Sequence, residues 1–153
     1  METREAGTTI MQQNTSELRK SILPGHTGLS LDLGCGRFKQ AGSIGFDIDP
    51  RSQADFFCDL NHGIPLHDGA AKEVYCSHFL EHVEALEKVL QEIYRVCEPG
   101  ATVTIVVPDA NCPGAMMPGH LFVLSEEFFR KNVAFQGYFA IESVRWDYNE
   151  DSL

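Results

Sequence analysis

The segment from Val83 to Val107 constrains this chain most. Val83, Leu86, Val89, Leu90, Ile93, Val96 and Cys97 recur at steps of three and four, so one apolar stripe runs along a helix. Glu84, Glu87, Lys88, Gln91, Glu92 and Arg95 cover its other faces. Pro99-Gly100 ends the helix, because the residue before a proline is pushed out of the helical region. Thr102 to Val107 is then the most β-rich run of the sequence, and Glu73 to Leu80 is a strand candidate ahead of the helix. Strand, long amphipathic helix, tight turn and strand make a crossover unit, almost always right-handed, and such units build parallel sheets.

Three more short strands are expected, at Leu29–Leu33, Ser43–Ile48 and Asp55–Leu60. Their apolar runs are nearly continuous rather than alternating, as in strands buried on both faces. The expected class is therefore α/β: a doubly wound, mostly parallel Rossmann-like sheet in three α/β/α layers. A helix is expected from about Thr9 to Leu23, stopped by Pro24-Gly25. Another starts at Ser125 as N-cap, with Glu126 and Glu127 in its first turn, and runs to about Phe135. Gly137 is read as its breaker, and the alternation from Tyr138 to Trp146 as a last strand. At 153 residues the chain is one domain, 1–153, with residues 1–8 and 147–153 expected to be flexible.

A formal charge of −10 and twelve scattered Lys and Arg argue against binding nucleic acid over a broad surface. No apolar run approaches the ~20 residues of a membrane span, and the first thirty residues lack a signal-peptide layout, so a cytoplasmic protein without membrane contact is expected. The five cysteines, an odd count without C-x-x-C, read as reduced thiols.

The first strand runs into Asp32-Leu33-Gly34-Cys35-Gly36. Glycines at the carboxyl end of a parallel strand let the backbone turn sharply and approach a ligand closely. The next strand ends in Asp47, eleven residues after Gly36, where a carboxylate can hold both hydroxyls of a ribose. The third ends in Asp59, placed to receive an exocyclic amine. A dinucleotide is disfavoured, since it expects a third glycine and a helix N-terminus for its pyrophosphate. Here Arg37 to Gly42 has room for a turn only.

LDLGCG, GFDID, CDL with GIPL, SHFLEHV and EIYRVCEPGATVTIVVPD, in that order, resemble a class I S-adenosylmethionine-dependent methyltransferase of the broad type-11 group. The resemblance covers roughly residues 29–109 and is closest to a short subgroup with a reduced first helix. It implies strand order 3-2-1-4-5 and S-adenosylmethionine as cofactor. Gly34, Cys35 and Gly36 would pack near the methionine and ribose, and Asp32 would orient the loop and the methionine amine. Asp47, with Ile48 beside it, would hold the ribose. Asp59 and the backbone N–H of Leu60 would read the adenine edge, while Ser77 and His78 would line the methionine and the transferable methyl. His78 is the first candidate for a general base and His120 the second. The acceptor implied is a small molecule or saccharide. A sheet about one strand short of the family's seven would leave an edge that a second copy could cover, as in a homodimer. The shortened loop also suits a non-catalytic binding module of the same fold.

His78-Phe79-Leu80-Glu81-His82 matches H-x-x-E-H, a zinc-protease pattern that needs both histidines on one helical face. Here the first ends a strand and the second begins a helix, so no metal is expected from that pair. Cys112, Met116, Met117 and His120 lack regular ligand spacing, and residues 110–124 read instead as a lid over the substrate pocket.

Overall fold

The computed structural model describes residues 23–146. The helix expected to end at Leu23 falls almost wholly outside them, as does the tail from Asp147. Five parallel strands, β1 (Leu29–Leu33), β2 (Ile44–Asp47), β3 (Phe56–Phe57), β4 (Ala71–Ser77) and β5 (Cys97–Val106), form one sheet in the order β3-β2-β1-β4-β5. This is the order the resemblance implies. Leu33 lies level with Phe46 on one side and Cys76 on the other, and Cys76 with Ile105. These residues belong to one face, which α1 (Leu86–Val96) covers.

The core is that contact. Leu31, Leu33, Phe46, Val74 and Cys76 from the sheet meet Leu86, Val89, Leu90, Ile93 and Val96 from α1, all buried. Each such side chain contributes ~1.5–3 kcal/mol on leaving water, which is why the three-four stripe fixes where α1 must lie. The helix begins three residues later than its pattern suggests. Leu80–His82 makes a 3₁₀ turn and Val83 is extended, so the chain first has to swing off the end of β4. Pro99-Gly100 falls inside the range of β5, in a bulge where Ala71 pairs with Cys97 but Glu73 with Thr102.

The C-terminal part departs from the sequence reading. The helix expected from Ser125 to Phe135 is two helices, α2 (Glu126–Lys131) and α3 (Val133–Tyr138). Asn132 is extended (ψ 112°), closes the first, and caps the second by accepting from the Phe135 N–H at 2.8 Å. Gly137 lies within α3 rather than breaking it. No strand forms over Tyr138–Trp146. Tyr138 and Phe139 pack their rings on Tyr94 of α1, and Phe139 on Phe135, so aromatic packing overrides the alternation. The third strand is also shorter than expected, since Leu60–His62 is a 3₁₀ turn capped by the Asp59 side chain. No described helix is long and apolar enough to cross a membrane.

Candidate functional site

The strand order reverses at β1 and β4, and in an open parallel sheet a crevice opens beyond the carboxyl ends of such strands. A cavity of about 350 Å³ lies there, lined by Asp32 of β1, by Gly34, Cys35, Gly36, Arg37, Phe38 and Gln40 from the loop after it, by Tyr75 and Ser77 of β4 and by His78 just beyond. A larger cleft of about 610 Å³ lies between α1 and the α2–α3 pair, with no strand residue in its wall.

The loop that walls this cavity has no helix behind it, and three carboxylates hold it instead. Asp32, 2% exposed, accepts the Gln40 N–H at 2.7 Å. Asp47 accepts the Gly36 N–H through Oδ2 and the Asp49 N–H through Oδ1, both at 2.8 Å. Asp55, read from the sequence only as a strand-entry residue, accepts Lys39 Nζ at 2.7 Å and the Gly45 N–H at 2.8 Å. Lys39 and its N–H partner lower the Asp55 carboxyl below its ordinary range. Burial raises that of Asp32, an effect that the Gln40 N–H and Lys39 only partly offset.

Gly34 has φ +68°, and its N–H bonds the Phe46 carbonyl at 2.8 Å. A Cβ there would sit 2.5 Å from Cδ2 of Phe79, so both the conformation and the space demand glycine. His78 is also in the left-handed region (φ +51°), rare without glycine and typical of functional positions. Its side chain is 58% exposed on the cavity side, with Nδ1 3.2 Å from Oε1 of the buried Glu81.

Of the residues expected from the sequence, Asp32, Gly34, Cys35, Gly36, Ser77 and His78 line the one cavity. Asp47, Ile48, Asp59 and Leu60 are not in its wall. Asp47 is joined to it through Gly36, and Ile48 is 55% exposed just beyond. Asp59 caps the Leu60–His62 turn through the Asn61 N–H and contacts His62 Nδ1 at 3.0 Å, so its carboxylate already has a structural role. His120 is absent from the cavity wall; its ring meets that of His82 edge-on, centroids 4.6 Å apart. The sequence reading missed Arg37, Phe38, Gln40 and Tyr75, which have no signal beyond their place in the loop and strand.

Residues 31–105 match the family model described as "Methyltransferase domain". This segment belongs to the class I S-adenosylmethionine-dependent methyltransferases. A chain of the complex between the Haloferax volcanii Trm112 methyltransferase activator and a methyltransferase is similar to the methyltransferase domain described here. The likeness covers 86% of this chain and 69% of that one, at 18% identity and a TM-score of 0.54, and concerns the fold. Haemonchus contortus phosphoethanolamine N-methyltransferase 2, solved with phosphomonomethylethanolamine and S-adenosylhomocysteine, is 20% identical over 84% of this chain and 34% of its own length, with a TM-score of 0.47. Among curated proteins none matches. S-adenosylmethionine, the cofactor of the family, suits the residues present. It carries no phosphate for a helix N-terminus to hold, Gly36, with nothing within 4 Å of where a Cβ would sit, leaves room for close approach, and the Asp47 oxygens keep spare lone pairs for hydroxyls.

Proposed function

We propose that this domain binds S-adenosylmethionine at the β1–β4 crevice and transfers its methyl group to a nucleophilic oxygen or nitrogen of a small molecule or saccharide. The observation that carries the reading is the single cavity joining the Gly34–Gly36 loop to Ser77 and His78 at the switch point. The bound cofactor supplies an already electrophilic sulfonium methyl, so the chain's own task is to orient. Gly34 and Gly36 let backbone lie against the methionine end, Asp47 accepts from the ribose diol, and the exposed Ile48 side chain offers an apolar surface to the base. Holding an acceptor in line supplies ~7–11 kcal/mol of the barrier.

His78 is suited to receive a proton from a hydroxyl acceptor. Glu81 Oε1 accepts from Nδ1–H, which leaves the Nε2 lone pair directed elsewhere, a base oriented by a carboxylate. Proton removal of this kind is worth ~10²–10⁴-fold.

Isothermal titration with S-adenosylmethionine and S-adenosylhomocysteine tests the first half. No heat at millimolar ligand would remove the cofactor assignment. Asp47→Ala should weaken binding about tenfold or more, since each hydrogen bond to a charged group is worth ~1.5–3 kcal/mol. Transfer of labelled methyl to hydroxyl, amine and carboxylate acceptors tests the second half. Binding without transfer to any acceptor would favour a non-catalytic module.

A further inference from the structure

Glu81 is 1% exposed, and its Oε2 has no hydrogen-bond partner among the described residues. A buried carboxylate oxygen without a donor is costly, so something outside the described side chains is expected to face it. Nearby, the chain gathers two imidazoles. One donor atom from each of Glu81, His82 and His120 lies within 4.8 Å of those from the other two.

The two rings are held in a way that suits ligation. His82 Nδ1 is 3.0 Å from the Gly119 carbonyl, and His120 Nδ1 is 3.3 Å from that of Ala115. A carbonyl only accepts, so each Nδ1 carries the hydrogen and each neutral ring keeps its lone pair on Nε2. Donation of the second ring nitrogen to a backbone carbonyl is the usual arrangement behind metal-ligating histidines. The Leu121 N–H bonds the Glu81 carbonyl at 2.7 Å, tying the His120 loop to the Glu81–His82 turn.

We propose that Glu81, His82 and His120 bind a divalent transition-metal ion at the edge of the catalytic crevice. Two imidazoles and one carboxylate favour ions of the zinc, cobalt or nickel kind over calcium or magnesium, which prefer all-oxygen sites. Three protein ligands leave positions open for water or another oxygen. Bonds of ~2.0–2.2 Å in tetrahedral geometry put ligand atoms about 3.4 Å apart, so the site closes by roughly an ångström, a movement the His120 loop can supply. The sequence pattern H-x-x-E-H points to His78 as partner of His82. The structure instead joins His78 to Oε1 of Glu81 and leaves Oε2 for the ion. Glu81 thus links the ion to the histidine that lines the crevice. Cation binding stands independently of methyl transfer; that an open position takes an acceptor oxygen rests on the methyl-transfer reading.

The test uses the untagged full chain, stripped with chelator and titrated with Co²⁺ while visible absorption is followed. One equivalent should produce ligand-field bands that Zn²⁺ abolishes and Mg²⁺ does not. His120→Ala, a change in a half-buried loop residue, should raise the apparent Kd for Co²⁺ more than about 100-fold, beyond the usual cost of losing an outer contact. Circular dichroism checks that this variant is folded, and Glu81→Gln should behave alike. His67→Ala, whose ring nitrogens contact the carbonyls of Asp68 and His26, should bind as the parent does. Absence of one-to-one binding in the parent, or parental binding by folded His120→Ala, would overturn the site. Titration of the stripped chain with S-adenosylmethionine reports separately on the methyltransferase reading.

Discussion

Gly34 and Gly36 sit two residues apart with positive φ, yet the structure sets different penalties for filling them. A Cβ at Gly34 would meet Phe79 Cβ at 2.8 Å as well as the ring, and a Cβ cannot swing away as a side-chain tip can. At Gly36 (φ +52°) a Cβ would find nothing within 4 Å, leaving only the left-handed strain of ~1–2 kcal/mol. Gly34→Ala should therefore lower the melting temperature clearly more than Gly36→Ala and abolish cofactor binding; equal melting curves would refute the packing argument. Asp32 poses the opposite case, a residue kept at the expense of stability. Its carboxyl titrates above the ordinary 3.8, chiefly through burial. A raised acid binds more protons folded than unfolded, so stability falls as pH climbs from 3.8 through the folded value. Asp32→Asn keeps an acceptor for the Gln40 N–H and removes the charge. In urea titrations the variant should match the parent at the acid end and exceed it increasingly toward neutral pH, while binding S-adenosylmethionine more weakly. A constant difference across pH would contradict the buried-charge account.

Elements take their positions from features of unequal legibility. The stripe on α1, the buried positions of β1, β2 and β4 and the alternating half-buried positions of β5 are readable because burial on a sheet or helix leaves an apolar record at every second or every third and fourth residue. The Gly34–Gly36 loop is readable because only glycine tolerates its backbone. Other features leave no such record. Asn132 splitting α2 from α3 depends on one side chain capping the second helix, and the aromatic packing that replaces the expected last strand is tertiary. Glu81 and His120 meet only because the loop after β5 folds back, so no local spacing reveals them. Arg95 and Glu92 look like solvent-facing charges on the helical pattern. Instead Glu92 is buried and pairs with Arg95 through both oxygens, while Arg95 also donates to the carbonyls of Ile64 and Leu66. The Ile64 N–H donates to Glu92 at 2.9 Å, so the pair fastens the β3–β4 connection to α1. Arg95→Ala, which takes away the cation facing this buried carboxylate, should cost ~3–5 kcal/mol in denaturant unfolding. A loss below about 1 kcal/mol, the level of an exposed pair, would show that the clamp is not buried in solution.

At the scale of the molecule, stability need not be uniform, and the cysteines can report on it. Burial pushes Cys35 and Cys97 up to about 11 and Cys58 to about 12, and raises Cys76 further, since it is 1% exposed in the centre of the sheet. At pH 8 such thiols are scarcely ionised, so alkylation waits for each to be exposed by an opening of the structure. Cys35 lies on a loop pinned by three carboxylates rather than by a packed helix, and should be reached by a local opening. Cys76 is enclosed between β1 and β5 and should wait for global unfolding. Iodoacetamide labelling followed by peptide mass mapping should therefore modify Cys35 well before Cys76. The ligand sharpens the distinction. A ligand at one hundred times its Kd stabilises the state that binds it by ~2.7 kcal/mol, so an opening that releases it becomes about a hundred times rarer. S-adenosylhomocysteine should slow Cys35 by that factor, because its loop walls the cavity, and slow Cys97 on the outer strand far less wherever local opening of β5 leaves the crevice intact. An unchanged Cys35 rate at saturating ligand would mean that the ligand lies elsewhere, and with it the cofactor assignment to the Gly34–Gly36 loop would fail.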